Sequence, residues 1–181
     1  LVGPVAEVNG VSYATLADAI NAAKDGETVN MLASTVCTEN TDLTEVKSVT
    51  VDFAQHTFTG DNKNIAIRSK AEGAGVLTLM NGTITTGDGT YCTLGAANGS
   101  AIVVKDMILN NSTAFGGSVK AFPGGTIELR DSQLNSVIFN QWLYDHCLFH
   151  ALFLHLINIR MSLLHLSNAL LHKPSVSWRL P

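Results

Sequence analysis

Cysteine is almost missing from this chain, and the little there is forms no pattern. Cys37, Cys92 and Cys147 are odd in number and widely spaced, with no CxxC pair. That spacing encodes neither a disulfide framework nor a cysteine metal site. Charge is thin as well, at 14% of 181 residues with a formal net charge of −4. Lys and Arg do not cluster in the mildly acidic part up to Ser136, which argues against nucleic acid or anionic membrane as its partners, since both need concentrated positive charge. The chain holds no HExxH, no glycine loop leading a strand into a helix, and no spaced Ser/His/Asp or Cys/His set. The signatures of zinc proteases, phosphate binding and nucleophilic catalysis are therefore missing. The chain opens at Leu1 with neither an initiator Met nor a charged-then-apolar leader, and reads as a fragment of a longer protein.

Glycine is abundant in one part and missing from the other. All fifteen glycines lie at or before Gly125, while five of the six histidines and both tryptophans follow Asn140. Up to Ser136 there are eight Lys/Arg against fourteen Asp/Glu, and from Val137 three against one. The expected organisation is a first domain over 1–136 and a Leu/His-rich tail over 137–181.

What is present in the first part is a phrase written four times. It reads Val51-Asp52-Phe53-Ala54-Gln55-His56-Thr57-Phe58, then Leu77-Thr78-Leu79-Met80-Asn81-Gly82-Thr83-Ile84. It returns as Ile102-Val103-Val104-Lys105-Asp106-Met107-Ile108-Leu109 and as Ile127-Glu128-Leu129-Arg130-Asp131-Ser132-Gln133-Leu134. A fixed period of about 25 residues marks a solenoid. Alternating apolar residues describe a strand with one buried face. The Gln, Asn or Asp two places on suits a left-handed corner, and the last apolar residue belongs to a second inward strand. A turn of this length is too short for a βαβ unit, which needs roughly 30 residues. Third strands are expected at Asn64–Arg68, Tyr91–Leu94 and Ser118–Ala121. The corner column Gln55, Asn81, Asp106, Asp131 is a candidate for amide hydrogen bonds running up the stack. The fold class expected is an all-β solenoid, a right-handed parallel β-helix.

The first residues read as a cap. Val5–Tyr13 holds Asn9-Gly10, the favoured two-residue hairpin turn. Thr15 with Asp18 three residues on forms a capping box, and Leu16, Ala19, Ile20 and Ala23 make one apolar helical stripe. Lys24 suits the helix C-terminal dipole and Gly26 a left-handed stop. Glu27–Leu32 then reads as the first strand of the stack. The run Tyr13-Ala14-Thr15-Leu16-Ala17-Asp18-Ala19-Ile20-Asn21-Ala22-Ala23-Lys24-Asp25-Gly26-Glu27-Thr28-Val29 resembles the N-terminal cap of pectate-lyase-like right-handed β-helix proteins. There a helix plugs the solenoid end before a Gly-Asp/Glu-Thr-Val entry into the first turn. The resemblance covers roughly 5–136, with the cap at 5–26 and turns at 27–136. It implies the fold and, for turns of this style, a bacterial cell-surface or extracellular location.

That superfamily also implies where chemistry would sit. Many of its enzymes use Ca²⁺-binding Asp residues with an Arg or Lys base, or paired Asp carboxylates. Lys105 and Arg130 hold the same place in successive turns, as do Asp106 and Asp131. The carboxylates would stand about 5 Å apart, the separation of a retaining glycosidase rather than the 6.5–9.5 Å or so of an inverting one. Hydrolases of this fold mostly invert, and the plainer reading makes both Asp residues corners bonded to local backbone. Asp52 and Glu128 share a column three turns, roughly 14 Å, apart. His56 takes the place of Gly82 and reads as a solvated corner residue. Asn40-Thr41-Asp42 matches the first polygalacturonase motif, but that family's later motifs are missing, so the match is taken as chance.

Polar loops such as 60–64, 71–75, 87–90 and 95–99 are candidates for a binding flank. Asn81, Asn98, Asn110 and Asn111 open N-glycosylation triplets, which arise readily by chance in a chain this rich in Asn, Ser and Thr. In the tail, Asp145, His146 and His150 put two imidazoles at helical i, i+4 spacing, as zinc requires, without a supporting motif. Asp145, Asn158, Arg160 and spaced histidines interrupt any membrane span. A fifth turn would place Leu152, Leu154 and Ile159 on the repeat, yet puts Leu156 at the corner. The tail reads as out of frame with the solenoid, or as one or two helices on its open end.

The leading expectation is a non-enzymatic surface or secreted segment, a stalk or an adhesive, glycan-binding face, with polysaccharide or host-surface glycan as partner and no cofactor. The alternative is the early turns of a polysaccharide lyase or glycoside hydrolase, with Ca²⁺ in the lyase version. A third idea makes the tail a membrane- or partner-binding segment.

Overall fold

The computed structural model describes residues 3–61, 65–70, 72–87, 90–111 and 119–136. The tail, with Cys147 and the Asp145, His146 and His150 candidates, lies outside them, as do the fifth-turn positions.

The chain enters through β1 (Ala6–Val8) and β2 (Val11–Tyr13), an antiparallel hairpin turned on Asn9 (φ 52°) and Gly10 (φ 77°). Both central residues are left-handed, as a type I′ turn demands. Helix α1 (Leu16–Ala22) follows. Thr15 Oγ1 accepts the Asp18 N–H at 3.0 Å and donates to the Asp18 carboxylate at 2.7 Å, so the N-cap stands as expected. The expected apolar stripe is the buried face, with Leu16, Ala19, Ile20 and Ala23 in the common core.

The helix end differs from the sequence expectation. Ala23 closes it in extended conformation, its N–H still bonded to the Ala19 carbonyl. Gly26 is left-handed (φ 79°), but in the turn after the helix, where Glu27 N–H reaches Lys24 O at 3.1 Å. Lys24 is outside the last helical turn. The cation at the C-terminal dipole is Lys47, from a distant loop: its Nζ donates to Asn21 O and Ala23 O, both at 2.8 Å.

From there the chain coils in parallel. Strand β3 (Thr28–Met31) pairs antiparallel with β1 and parallel with β6 (Ser48–Asp52). Above β6 stack β9 (Val76–Thr86), β11 (Ala101–Asn111) and β13 (Thr126–Arg130), giving the first face. The second face is β4 (Thr35–Cys37), β7 (Thr57–Gly60), the second halves of β9 and β11, and β14 (Gln133–Ser136). The third is a separate sheet, β5 (Thr41–Leu43), β8 (Ile65–Ser69), β10 (Cys92–Ala96) and β12 (Val119–Ala121), all parallel. The molecule is a parallel β-solenoid with an N-terminal helical cap, and the three expected third strands are present.

Strands β9 and β11 bend in the middle, and the bend is the repeated corner. Gln55, Asn81, Asp106 and Asp131 all have positive φ, at 67°, 60°, 52° and 47°. One left-handed residue shifts the inward parity. In β11, Ile102 and Val104 point in, Lys105 and Asp106 both point out, and Met107 and Leu109 point in again. The inward second-strand column Phe58, Ile84, Leu109, Leu134 is in register as expected. Each fully buried side chain of that size contributes about 1.5–3 kcal/mol.

The first repeat needs a correction. Val51 stands beside Leu79 and not Leu77, while Phe58 stands beside Ile84. Two extra residues are taken up at its corner, where Ala54 and Gln55 are both left-handed. Asp52 therefore shares its column with Met80, Lys105 and Arg130, and Glu128 shares one with Val103, Thr78 and Thr50. The Asp52–Glu128 column does not exist. His56 does lie beside Gly82 at the corner, half-buried.

Candidate functional site

The four sequence candidates lie at the outer corner of the last two turns. Lys105 and Arg130 are register neighbours on β11 and β13. Lys105 Nζ stands 4.0 Å from the Asp106 carboxylate, with both side chains about half exposed. Arg130 is committed elsewhere: Nε and Nη2 donate to the two Glu128 oxygens at 2.7 and 2.8 Å. This fork holds the Glu128 carboxyl below its ordinary value and raises the guanidinium. Asp106 and Asp131 are exposed, left-handed corner residues. Between the two corners, buried Ser132 accepts the Met107 N–H at 3.2 Å and donates to the Arg130 carbonyl at 2.7 Å. Structure thus brings the quartet together, but as a turn with one internal ion-pair fork.

The corner amides do not form the expected ladder. Asn81 Nδ2 instead reaches both Asp52 oxygens at 3.3 Å, and Asp52 also accepts the Ala54 N–H at 2.8 Å. One inter-turn amide bond is found one face away: Asn135 Nδ2 donates to Asn110 Oδ1 at 2.8 Å, and Gln133 Nε2 donates to Asn135 Oδ1 along the same strand.

The third sheet carries a cluster that sequence reasoning passed over. Asp42, Arg68, Gly95 and Lys120 share one column. Arg68 forks onto Asp42 at 2.6 and 2.7 Å, and Lys70 joins at 3.0 Å. Burial alone would raise the Asp42 carboxyl, but the Arg68 and Lys70 hydrogen bonds outweigh it and leave the carboxyl below its ordinary value. Asp42 is thus a structural ion-pair member, in keeping with the chance reading of Asn40-Thr41-Asp42. Farther along, Lys120 Nζ lies 4.7 Å from the Tyr91 ring centroid and 5.0 Å from that of Phe122, and bonds the Tyr91 hydroxyl. Beneath it, burial pushes the Cys92 thiol up to about 12, against the opposing pull of Lys120 and Arg68, so it stays protonated. The available signal was spacing: positions 42, 68 and 120 fall on the repeat.

The second face differs from both. Its outward residues are Val36 on β4, Thr57 and Thr59 on β7, and Thr83 and Thr85 on β9. Beyond them β11 presents Ile108 and Asn110, and β14 presents Gln133 and Asn135. None of these is charged. Of the glycosylation triplets, Asn98 sits in an exposed left-handed turn, whereas Asn81 is half-buried with its amide on Asp52.

Among the described residues no three His, Cys, Asp or Glu side chains converge on a metal position, and no helix is long and apolar enough to cross a membrane. The geometry defines a capped parallel β-solenoid with three unlike outer faces. Against known proteins, the chain matches no family model, no curated protein and no solved structure.

Proposed function

We propose that this solenoid is a non-enzymatic segment of a surface or secreted protein, of the pectate-lyase-like kind, whose role is adhesive glycan binding on a stalk-like scaffold. The observation carrying this reading is the capture of Arg130 by Glu128 on its own strand. A base must reach a substrate proton, and this guanidinium has its Nε–Nη2 edge turned to a neighbouring carboxylate on its own strand. The two Asp residues beside it hold backbone corners. Regular stacked strands with alternating outward side chains form a rigid, repeating surface, which suits recognition of a repeating polymer. The test is turnover against a panel of acidic and neutral polysaccharides, with and without Ca²⁺. The expected result is binding without product. Turnover that disappears in Asp131→Ala would overturn it.

A second reading, the early turns of a polysaccharide lyase or glycoside hydrolase, is favoured by one observation: Lys105 stacks on Arg130 beside the Asp106 carboxylate. It expects a Ca²⁺-dependent rise in ultraviolet absorbance on pectate that Lys105→Ala removes.

A further inference from the structure

We propose that the second face is the glycan-binding surface, and that its ligand is an extended, uncharged, β-linked polysaccharide lying along the solenoid axis. This rests on the glycan-binding reading above and adds the face and the ligand class. The first face carries Lys105, Glu128 and Arg130 outward, and the third carries Asp42, Arg68 and Lys120. Across the five strands of the second face, every outward position named above is uncharged. A charged polymer gains no complementary field there, whereas a neutral one displaces water without stranding an ion.

The periodicity fits the same ligand. Strands repeat about every 4.8 Å, and alternate residues on one strand stand about 6.7 Å apart. Thr59 on β7, Thr85 on β9 and Asn110 on β11 make one straight column along the axis. An extended β-linked chain presents successive rings at an interval close to the strand separation, so one sugar can address one turn. Each Thr offers a hydroxyl for a sugar hydroxyl and a methyl for the ring's C–H face. Val36, 65% exposed, and Ile108, 40% exposed, extend the apolar component. β-Branched side chains on a paired strand have few rotamers, so ordering them on binding costs little. Each contact is weak, and tethered repetition raises the total.

The experiment is co-sedimentation of the full chain with microcrystalline cellulose, chitin and insoluble xylan, with polygalacturonate as the acidic control. Binding to at least one neutral polymer should persist in about 0.5 M NaCl, where surface electrostatics is screened. Thr59→Lys/Thr85→Lys should weaken it by about tenfold or more, and the milder Thr59→Ser/Thr85→Ser by less, with circular dichroism unchanged. Arg130→Ala should bind as wild type. Neutral binding that survives both double variants overturns the face while leaving the glycan reading intact. Salt-sensitive binding to polygalacturonate alone overturns the ligand class. No binding to any polymer overturns both readings, and self-association abolished by Thr85→Lys would assign the face to a second copy instead.

Discussion

The Phe53 side chain occupies the space that a Cβ on Gly82 would need. Such an atom would meet Phe53 Cβ and Cγ and stand 2.8 Å from the His56 carbonyl oxygen. The obstacles are a side-chain root and backbone, neither able to swing away. Gly82→Ala should therefore lower stability by about 1–3 kcal/mol through overpacking, read as a drop in denaturant midpoint at unchanged slope. Phe53→Ala keeps its Cβ and should not rescue it. In the Phe53→Gly background the added cost of Gly82→Ala should shrink, and full additivity would show that the two positions do not compete.

Lys47 bolts the cap to the solenoid. Its side chain is 6% exposed, with Nζ on two helix-end carbonyls and 3.0 Å from Glu45. Lys47→Met keeps the apolar stem but strands those carbonyls, at about 1–3 kcal/mol. Amide exchange should rise first in α1 and β1, before the central strands. Uniform exchange across the whole solenoid would mean the cap does not open separately.

The corners and core columns were legible because side-chain type there is dictated by backbone geometry. Only a left-handed position prefers Asn81, Asp106 and Asp131, and only a buried strand face demands alternating Leu77 and Leu79. The two-residue excess at Ala54–Gln55 was hidden because Val51 and Phe53 match the apolar template as well as Val49 and Val51 do, so the frame could slide by two. The helix end was misread for a related reason. Lys24 and Gly26 satisfy a local rule, but the charge that settles the helix terminus comes from Lys47, a non-local partner. The Tyr91, Lys120 and Phe122 cluster depends on contacts between turns, which a linear reading sees only as spacing.

If Asp106 is a corner and not a catalyst, glycine should replace it freely. Its φ of 52° suits glycine without strain. Asp106→Gly should leave thermal stability near wild type, while Asp106→Val, β-branched at positive φ, should cost about 1–2 kcal/mol. Polysaccharide binding on the second face should survive in Asp106→Gly. Equal destabilisation by both variants would mean the carboxylate itself holds the turn.

Asp42 sets the acid limit of the third sheet. Its folded-state carboxyl titrates below the ordinary 3.8 because Arg68 and Lys70 bond the ionised form. A depressed carboxylate stabilises the fold fully above its unfolded value. That contribution is lost as pH falls from about 3.8 through the lower folded-state value. Unfolding free energy should therefore decline through that window, with Glu128, likewise depressed by Arg130, adding a smaller exposed share. Asp42→Asn should lower stability at neutral pH by about 1–3 kcal/mol, because Arg68 and Lys70 lose a charged acceptor. The same variant should flatten the acid limb, bringing the two curves together as pH falls below the folded-state value of Asp42. Urea midpoints measured across that range decide it. Parallel curves, with a constant gap down to the lowest pH, would mean that Asp42 acts through shape and not through its charge.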